Sequence, residues 1–321
     1  MGAMVELKGR RLRILPPREA RFLVADVTGW LRDPWPLAGP VELELPRAAY
    51  FEYAFLDAEG QPFPDPDAPA PAHNPWYPYA RAVRLPGAAE PPRGVDELLG
   101  QVRRLEVGGR RLAVYEPPAG PAACLVVFDG VAYHRIGRMA HVAEALWRAG
   151  RIAPVRLVFS EPRAREREYR FDAGLLRHVA EEVVPEVAAR WGAAERRGLW
   201  GASLGGLTAL WIAQERPDLF ALVGAQSPAL KAEPGGHDAW RERELLTERL
   251  AREGVRPRRV ALQVGRLEWL LAPARRLAAV LAEADVPHGY REFPSGHNWY
   301  TWRVGLAEGL EELLGADLAV R

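Results

Sequence analysis

Two short stretches of this chain carry residues whose types and order could break an acyl bond. The first is Gly201-Ala202-Ser203-Leu204-Gly205-Gly206. An apolar run, Arg197-Gly198-Leu199-Trp200, precedes it, and a helical run from Leu207 to Ala213 follows. A serine between strand and helix, flanked by glycines, reads as a nucleophile elbow, a turn so tight that larger side chains would collide. Such a serine can attack a carbonyl carbon, and the Leu204 amide at the helix start can hold the resulting oxyanion. The second stretch is Phe293-Pro294-Ser295-Gly296-His297-Asn298-Trp299. An elbow serine needs a base, and in this arrangement the histidine comes last in the chain. His297 follows the final strand pattern and precedes a helix, so it is the expected base.

The supporting groups follow the same logic. Glu268 sits in Gly265-Arg266-Leu267-Glu268, just after the apolar strand Val260 to Val264, where an orienting acid would emerge. Two alternatives stand beside it: a surface glutamate favoured near a helix start, or a serine–histidine dyad with no acid. A second oxyanion donor is expected after the strand ending at Phe128, from the amide of Gly130 or Val131. Tyr133, His134 and Trp299 are the candidate substrate contacts, with plain loop packing the alternative for Tyr133 and His134. The other histidines read as structural or bland: His288 at a strand start, His141 and His178 on helices, His73 and His237 in polar loops. The run Arg163, Arg165, Glu166, Arg167, Glu168 reads as a solvated, ion-paired segment, with binding of an anionic substrate as the alternative.

These residues need a frame. Before residue 90 the chain shows short alternating apolar runs, rich in aromatics and divided by Pro, Gly and Asp. Arg21 to Val27, Val41 to Leu45 and Tyr50 to Leu56 each read as half-buried strands, with Asp57-Ala58-Glu59-Gly60 as a hairpin turn. Residues 1–90 are therefore expected to form a β-sandwich module, and 88–94 the linker. Beyond it, strand and helix patterns alternate. Strands are expected at Val102 to Val107, Arg110 to Glu116, Leu125 to Phe128, Val155 to Phe159, Gly198 to Trp200, Leu222 to Gln226, Val260 to Val264 and His288 to Phe293. Helices are expected near Met139 to Arg148, Leu175 to Arg190 and Pro273 to Leu281. Residues 91–321 thus read as an α/β domain with a mostly parallel central sheet flanked by helices.

Composition narrows the function classes. The 321 residues are 48% hydrophobic and 26% charged, with a formal net charge of +1. Near-neutrality gives no electrostatic reason to expect nucleic acid, and no basic–aromatic array is present. No window reaches the ~18 apolar residues of a membrane span, and no signal-like segment opens the chain, so cytoplasmic residence is expected. The single cysteine, Cys124, lies in the apolar run Ala123 to Phe128 and reads as a small core hydrophobe. No metal-ligand cluster and no phosphate-cradling loop suggest a cofactor. The expected partner is a small-molecule ester, and homo-oligomer formation stays open.

Taken together, Phe128-Asp129-Gly130, Arg165-x-x-Glu168-Tyr169, Gly201-Ala202-Ser203-Leu204-Gly205-Gly206 and Gly296-His297-Asn298-Trp299-x-x-Trp302-Arg303-x-x-Leu306 resemble the enterochelin (siderophore) esterase-like family of α/β hydrolases. The order and spacing match over about residues 100–315. The resemblance implies the α/β-hydrolase fold, with Ser203 as nucleophile, His297 as base and Gly130/Val131 in the oxyanion hole, and it favours Glu268 as acid. Val24 to Trp30, Tyr53-Ala54-Phe55 and Asp65-Pro66 are similar to an early-set, glycogen-binding-like β-sandwich. This chain has Val131-Ala132-Tyr133-His134 where the siderophore enzymes carry a tryptophan, and Ala202 where they usually carry Gln. The expectation is therefore carboxylic-ester hydrolysis through an acyl-enzyme. A carbohydrate (feruloyl or acetyl) esterase with a sugar-binding module, an acyltransferase, and a non-catalytic glycan-binding protein are the alternatives.

Overall fold

The computed structural model describes residues 4–65, 70–72, 74–235 and 243–315; His73 and His237 lie outside these ranges. The chain divides into two compact units. One comprises Met1–Pro91 together with Val264–Leu271 and Glu292–Val304; the other comprises Pro92–Gln263, Ala272–Arg291 and Gly305–Arg321.

The first unit is built on two antiparallel sheets. Met4–Lys8, Arg11–Leu15 and Val41–Glu44 form the smaller. Phe22–Ala25 pairs with Tyr50–Leu56, which also pairs with Pro62–Phe63 and Arg81–Arg84. Leu12, Ile14 and Leu45 pack with Leu23, Phe51, Tyr53 and Phe55 in one apolar cluster between the sheets, the expected β-sandwich. The Asp57 turn forms as its residues dictate: the Asp57 carboxylate accepts from Glu59 and Gln61 amides at 3.0 and 2.7 Å. One expectation changes here. The alternation in Tyr50–Leu56 predicts a half-buried strand, yet all seven residues are buried. Phe51, Tyr53 and Phe55 face the first cluster, while Tyr50, Ala54 and Leu56 face a second with Trp30, Ala72 and Ala80. Glu52 is consequently enclosed.

The second unit carries an eight-stranded sheet. Its order is His288–Phe293, Arg259–Gly265, Leu222–Gln226, Arg196–Ala202, Ala123–Val127, Val155–Ser160, Arg110–Glu116, Gln101–Val107. The strands from Arg259 through Val155 in that order run parallel, and Arg110–Glu116 is antiparallel to both of its neighbours. This is the α/β-hydrolase fold. The Gly108-Gly109 signal closes the antiparallel hairpin, with both glycines at positive φ (54° and 70°). The central strands read as continuous apolar runs because they are covered on both faces. Helices Leu204–Glu215 and Leu245–Glu253 and the segment Ala173–Trp191 pack against them through Leu207, Leu210, Ile212, Leu246, Val179 and Val183. Each fully buried Leu or Val contributes about 1.5–3 kcal/mol.

Candidate functional site

The elbow forms as the glycine spacing predicts. Ser203 joins strand Arg196–Ala202 to helix Leu204–Glu215 with φ 55° and ψ −122°. A non-glycine residue there is strained, and strain of this kind is kept where function needs it. A Cβ on Gly201 would sit 2.4 Å from the Gly205 carbonyl carbon, so the turn closes only with glycine. The Ser203 amide donates to the Gln226 carbonyl at 2.9 Å, and the Ser203 carbonyl accepts from Ala229 at 2.9 Å. The serine backbone is thus locked between neighbouring strand ends. Leu204 opens a 12-residue helix, whose first amides have no partner within the helix.

Asp129-Gly130-Val131 follows the strand Ala123–Val127 and Phe128. Asp129 is left-handed (φ 53°) and is gripped by Arg165: Nε donates to Oδ1 at 2.8 Å and Nη2 to Oδ2 at 2.7 Å. The Asp129 amide donates to the Tyr169 hydroxyl at 2.9 Å. A Cβ on Gly130 would meet the Phe159 carbonyl carbon and the Ser160 nitrogen at 2.5 Å, so this position too requires glycine. The Val131 amide donates to the Glu161 carboxylate, whose carboxyl is held above its usual range by burial, partly offset by that bond. The charge run is ion-paired, as expected, but it is not wholly solvated. Glu168 is buried and takes Arg110 in a two-pronged bridge at 2.7 and 3.1 Å. It also accepts from the Arg163 amide at 3.0 Å, an enclosure that the sequence pattern alone did not show.

The expected substrate contacts differ from one another. Tyr133 is buried, and its hydroxyl donates to Gln226 Oε1 at 2.6 Å. Gln226 Nε2 passes the chain on to Gln263 Oε1 at 2.7 Å, so Tyr133 braces the strand end that holds Ser203. His134 is half-buried with its ring 5.1 Å from Phe159, and burial lowers its pKa. It borders an open groove with Val131 and Glu161. Trp299 is buried and packs on Trp302 and Trp76, at 5.2 and 5.9 Å between ring centres.

His297 and Glu268 belong to the first unit, and they meet there. His297 Nδ1 lies 2.5 Å from Glu268 Oε2, and both side chains are buried. Glu268 Oε1 accepts from the Gly265 amide at 2.5 Å, which fixes the carboxylate plane. Two backbone bonds tie the loops that carry them: Arg266 to the Phe293 carbonyl at 2.7 Å and Leu267 to the Ser295 carbonyl at 3.0 Å. The imidazole is flanked by Trp269 and Trp302, at 4.6 and 5.2 Å. This is a histidine with its tautomer and ring orientation set by a carboxylate. Asp26 and Glu52, both buried in the same unit, were not marked by any sequence signal, because each sits inside a strand-like apolar stretch.

Among the described residues no cluster of three His, Cys, Asp or Glu side chains could hold a metal ion. Cys124 is buried, and burial pushes its thiol up to about 12, out of reach of thiolate chemistry at neutral pH. No described helix is long and apolar enough to cross a membrane.

An eight-stranded, mostly parallel sheet bearing a strand–serine–helix elbow defines the α/β-hydrolase class. Residues 109–313 match the family model described as "Putative esterase", and the chain belongs to that family. It is 28% identical over 243 residues to an iron(III) salmochelin esterase of Escherichia coli O6:H1, covering 68% of this chain and 58% of that protein. It is 27% identical over 275 residues to an iron(III) enterobactin esterase of Dickeya dadantii, covering 77% of this chain and 60% of that one. The chain therefore spans about three-fifths of the length of these curated relatives. The crystal structure of the Shigella flexneri enterobactin esterase with enterobactin is similar in fold, with TM-score 0.72 and 19% identity over 97% of this chain and 95% of that one.

Proposed function

We propose that this chain is a serine-dependent carboxylic-ester hydrolase that acts through an acyl-enzyme on a small-molecule, siderophore-like ester. The observation that carries the reading is the strained backbone of Ser203 at the head of a helix. The fixed His297–Glu268 pair supports it, as does kinship to proteins named for salmochelin and enterobactin hydrolysis.

In this reading His297 Nε2 takes the Ser203 hydroxyl proton as the serine oxygen bonds to the ester carbonyl carbon. Glu268 stabilises the imidazolium through Nδ1–H. The amide of Leu204 and one from the Gly130–Val131 turn hold the oxyanion. The protonated His297 then gives its proton to the departing alcohol, leaving the acyl group on Ser203. Water, deprotonated by His297, releases the acid and restores the serine. The Val131 amide already serves Glu161, so that bond must yield if Val131 is the second donor.

Purified full-length protein should cleave p-nitrophenyl butyrate, and Ser203→Ala should abolish the cleavage. Inactivity of the wild type across short acyl esters would sink the reading. Turnover of enterobactin, followed by chromatography of the released catechol-serine products, tests the substrate class separately.

A further inference from the structure

The unit that holds His297 also encloses a carboxyl for which the chemistry above has no use. Asp26 directly follows strand Phe22–Ala25 and is fully buried. Its Oδ2 accepts from the Glu52 amide at 2.8 Å. Asn298 Nδ2 spans both carboxyl oxygens, at 3.2 and 3.3 Å. The other end of Asn298 caps the helix Trp299–Leu314, with Oδ1 accepting from the Thr301 amide at 3.0 Å. On the other side of His297, a Cβ on Gly296 would fall 2.0 Å from Asp26 Cγ. Asp26 therefore touches both residues that flank His297. We propose that Asp26 is a positioning residue for His297, so that the β-sandwich is a working part of the base.

This inference rests on the reading of His297 as base. Its physical logic is conformational. Glu268 and two tryptophans fix the imidazole ring, but a ring is only as fixed as the backbone that bears it. Gly296 is the residue type with the most freedom to lose. The Asp26 carboxyl fills the space beside Gly296 and ties Asn298, so the backbone on both sides of His297 is held. Misplacement of a catalytic group by about 1 Å can cost about 10²-fold in rate.

The electrostatic surroundings agree. Glu52 faces Asp26 from the neighbouring strand, Glu268 from the loop before the Leu271 helix, and Tyr50 and Tyr77 from the second apolar cluster. Among the described residues no cation pairs with Asp26. Burial, reinforced by the charge of Glu268, pushes its carboxyl up to about 7, against the hydrogen bonds from Glu52 and Asn298. An enclosed carboxyl with no cation costs stability. Its presence here makes sense if the loop it holds has a task.

The test uses the full chain with Asp26→Asn, and with Asn298→Ser as a second variant that keeps a capping oxygen but removes the amide donor. We expect kcat on p-nitrophenyl butyrate to fall at least about tenfold with KM within about twofold, and the melting midpoint of Asp26→Asn to stay level or rise. The low-field proton resonance of the His297–Glu268 hydrogen bond, assigned by its loss in His297→Ala, should shift or broaden in both variants. Unchanged kcat with an unmoved resonance overturns the proposal, as does a kcat loss that only tracks lost folding. If Ser203→Ala leaves turnover intact, the hydrolase reading fails. The resonance then decides alone: unmoved, it overturns the positioning role.

Discussion

His297 Nδ1 and Glu268 Oε2 lie 2.5 Å apart in a buried setting, with the opposite oxygen of Glu268 held by the Gly265 amide. A carboxylate so restrained cannot drift to another partner. Replacing Glu268 with Ala should lower kcat by about 10³–10⁴ with little change in KM, because the imidazolium loses its counter-charge and its orientation. A loss under about tenfold, in steady-state kinetics at neutral pH, would point to a dyad instead.

The Asp129–Arg165 bridge predicts a coupled loss of stability and rate. Asp129 is buried, so Arg165→Ala leaves a carboxylate without its two-pronged partner. Breaking a buried pair from one side costs about 3–5 kcal/mol, and the partial exposure of Arg165 places this case at or below the lower end. Denaturant titration should show the drop. If the turn supplies an oxyanion donor, kcat should fall more than KM rises; a pure KM effect would count against that role.

Gly130 tests the same turn by sterics alone. Gly130→Ala would force a methyl to within 2.5 Å of backbone atoms in Phe159 and Ser160. Neither can move without disturbing the sheet, so a loss of about 1–3 kcal/mol or more is expected. A thermal midpoint equal to wild type would show that the loop is not seated as described.

Asp26 makes a prediction about pH with a definite sign. Its folded carboxyl sits near 7, above the ordinary 3.8, so the folded state holds that proton more tightly than the unfolded chain. The resulting stability is complete below the ordinary value and is lost as pH rises toward 7, by at most about 1.4 kcal/mol per pH unit. Wild type should therefore lose stability relative to Asp26→Asn as pH rises from about 4 toward about 7. Urea midpoints that differ by a constant amount across this range would refute the assignment.

Much of the second unit was legible in the sequence because its signals are local. Continuous apolar runs mark strands covered on both faces, and the helix Met139–Arg148 and strand Leu222–Gln226 fall where their periodicity puts them. The glycines around Ser203 announce a turn that only they can make. Chain order then selected His297 among seven histidines and made Glu268 an option. What sequence could not supply was long-range enclosure. Glu52 lies on a strand whose alternation looks half-exposed, and it is buried only because two apolar clusters close on opposite faces. Nothing local to Tyr133 announces the partner 93 positions away that takes its hydroxyl. The link from Asp26 to Asn298 crosses 272 positions. Local residue types decide which turns and strands can form. Only the packed chain decides which polar groups are cut off from water, and so which of them must find one another.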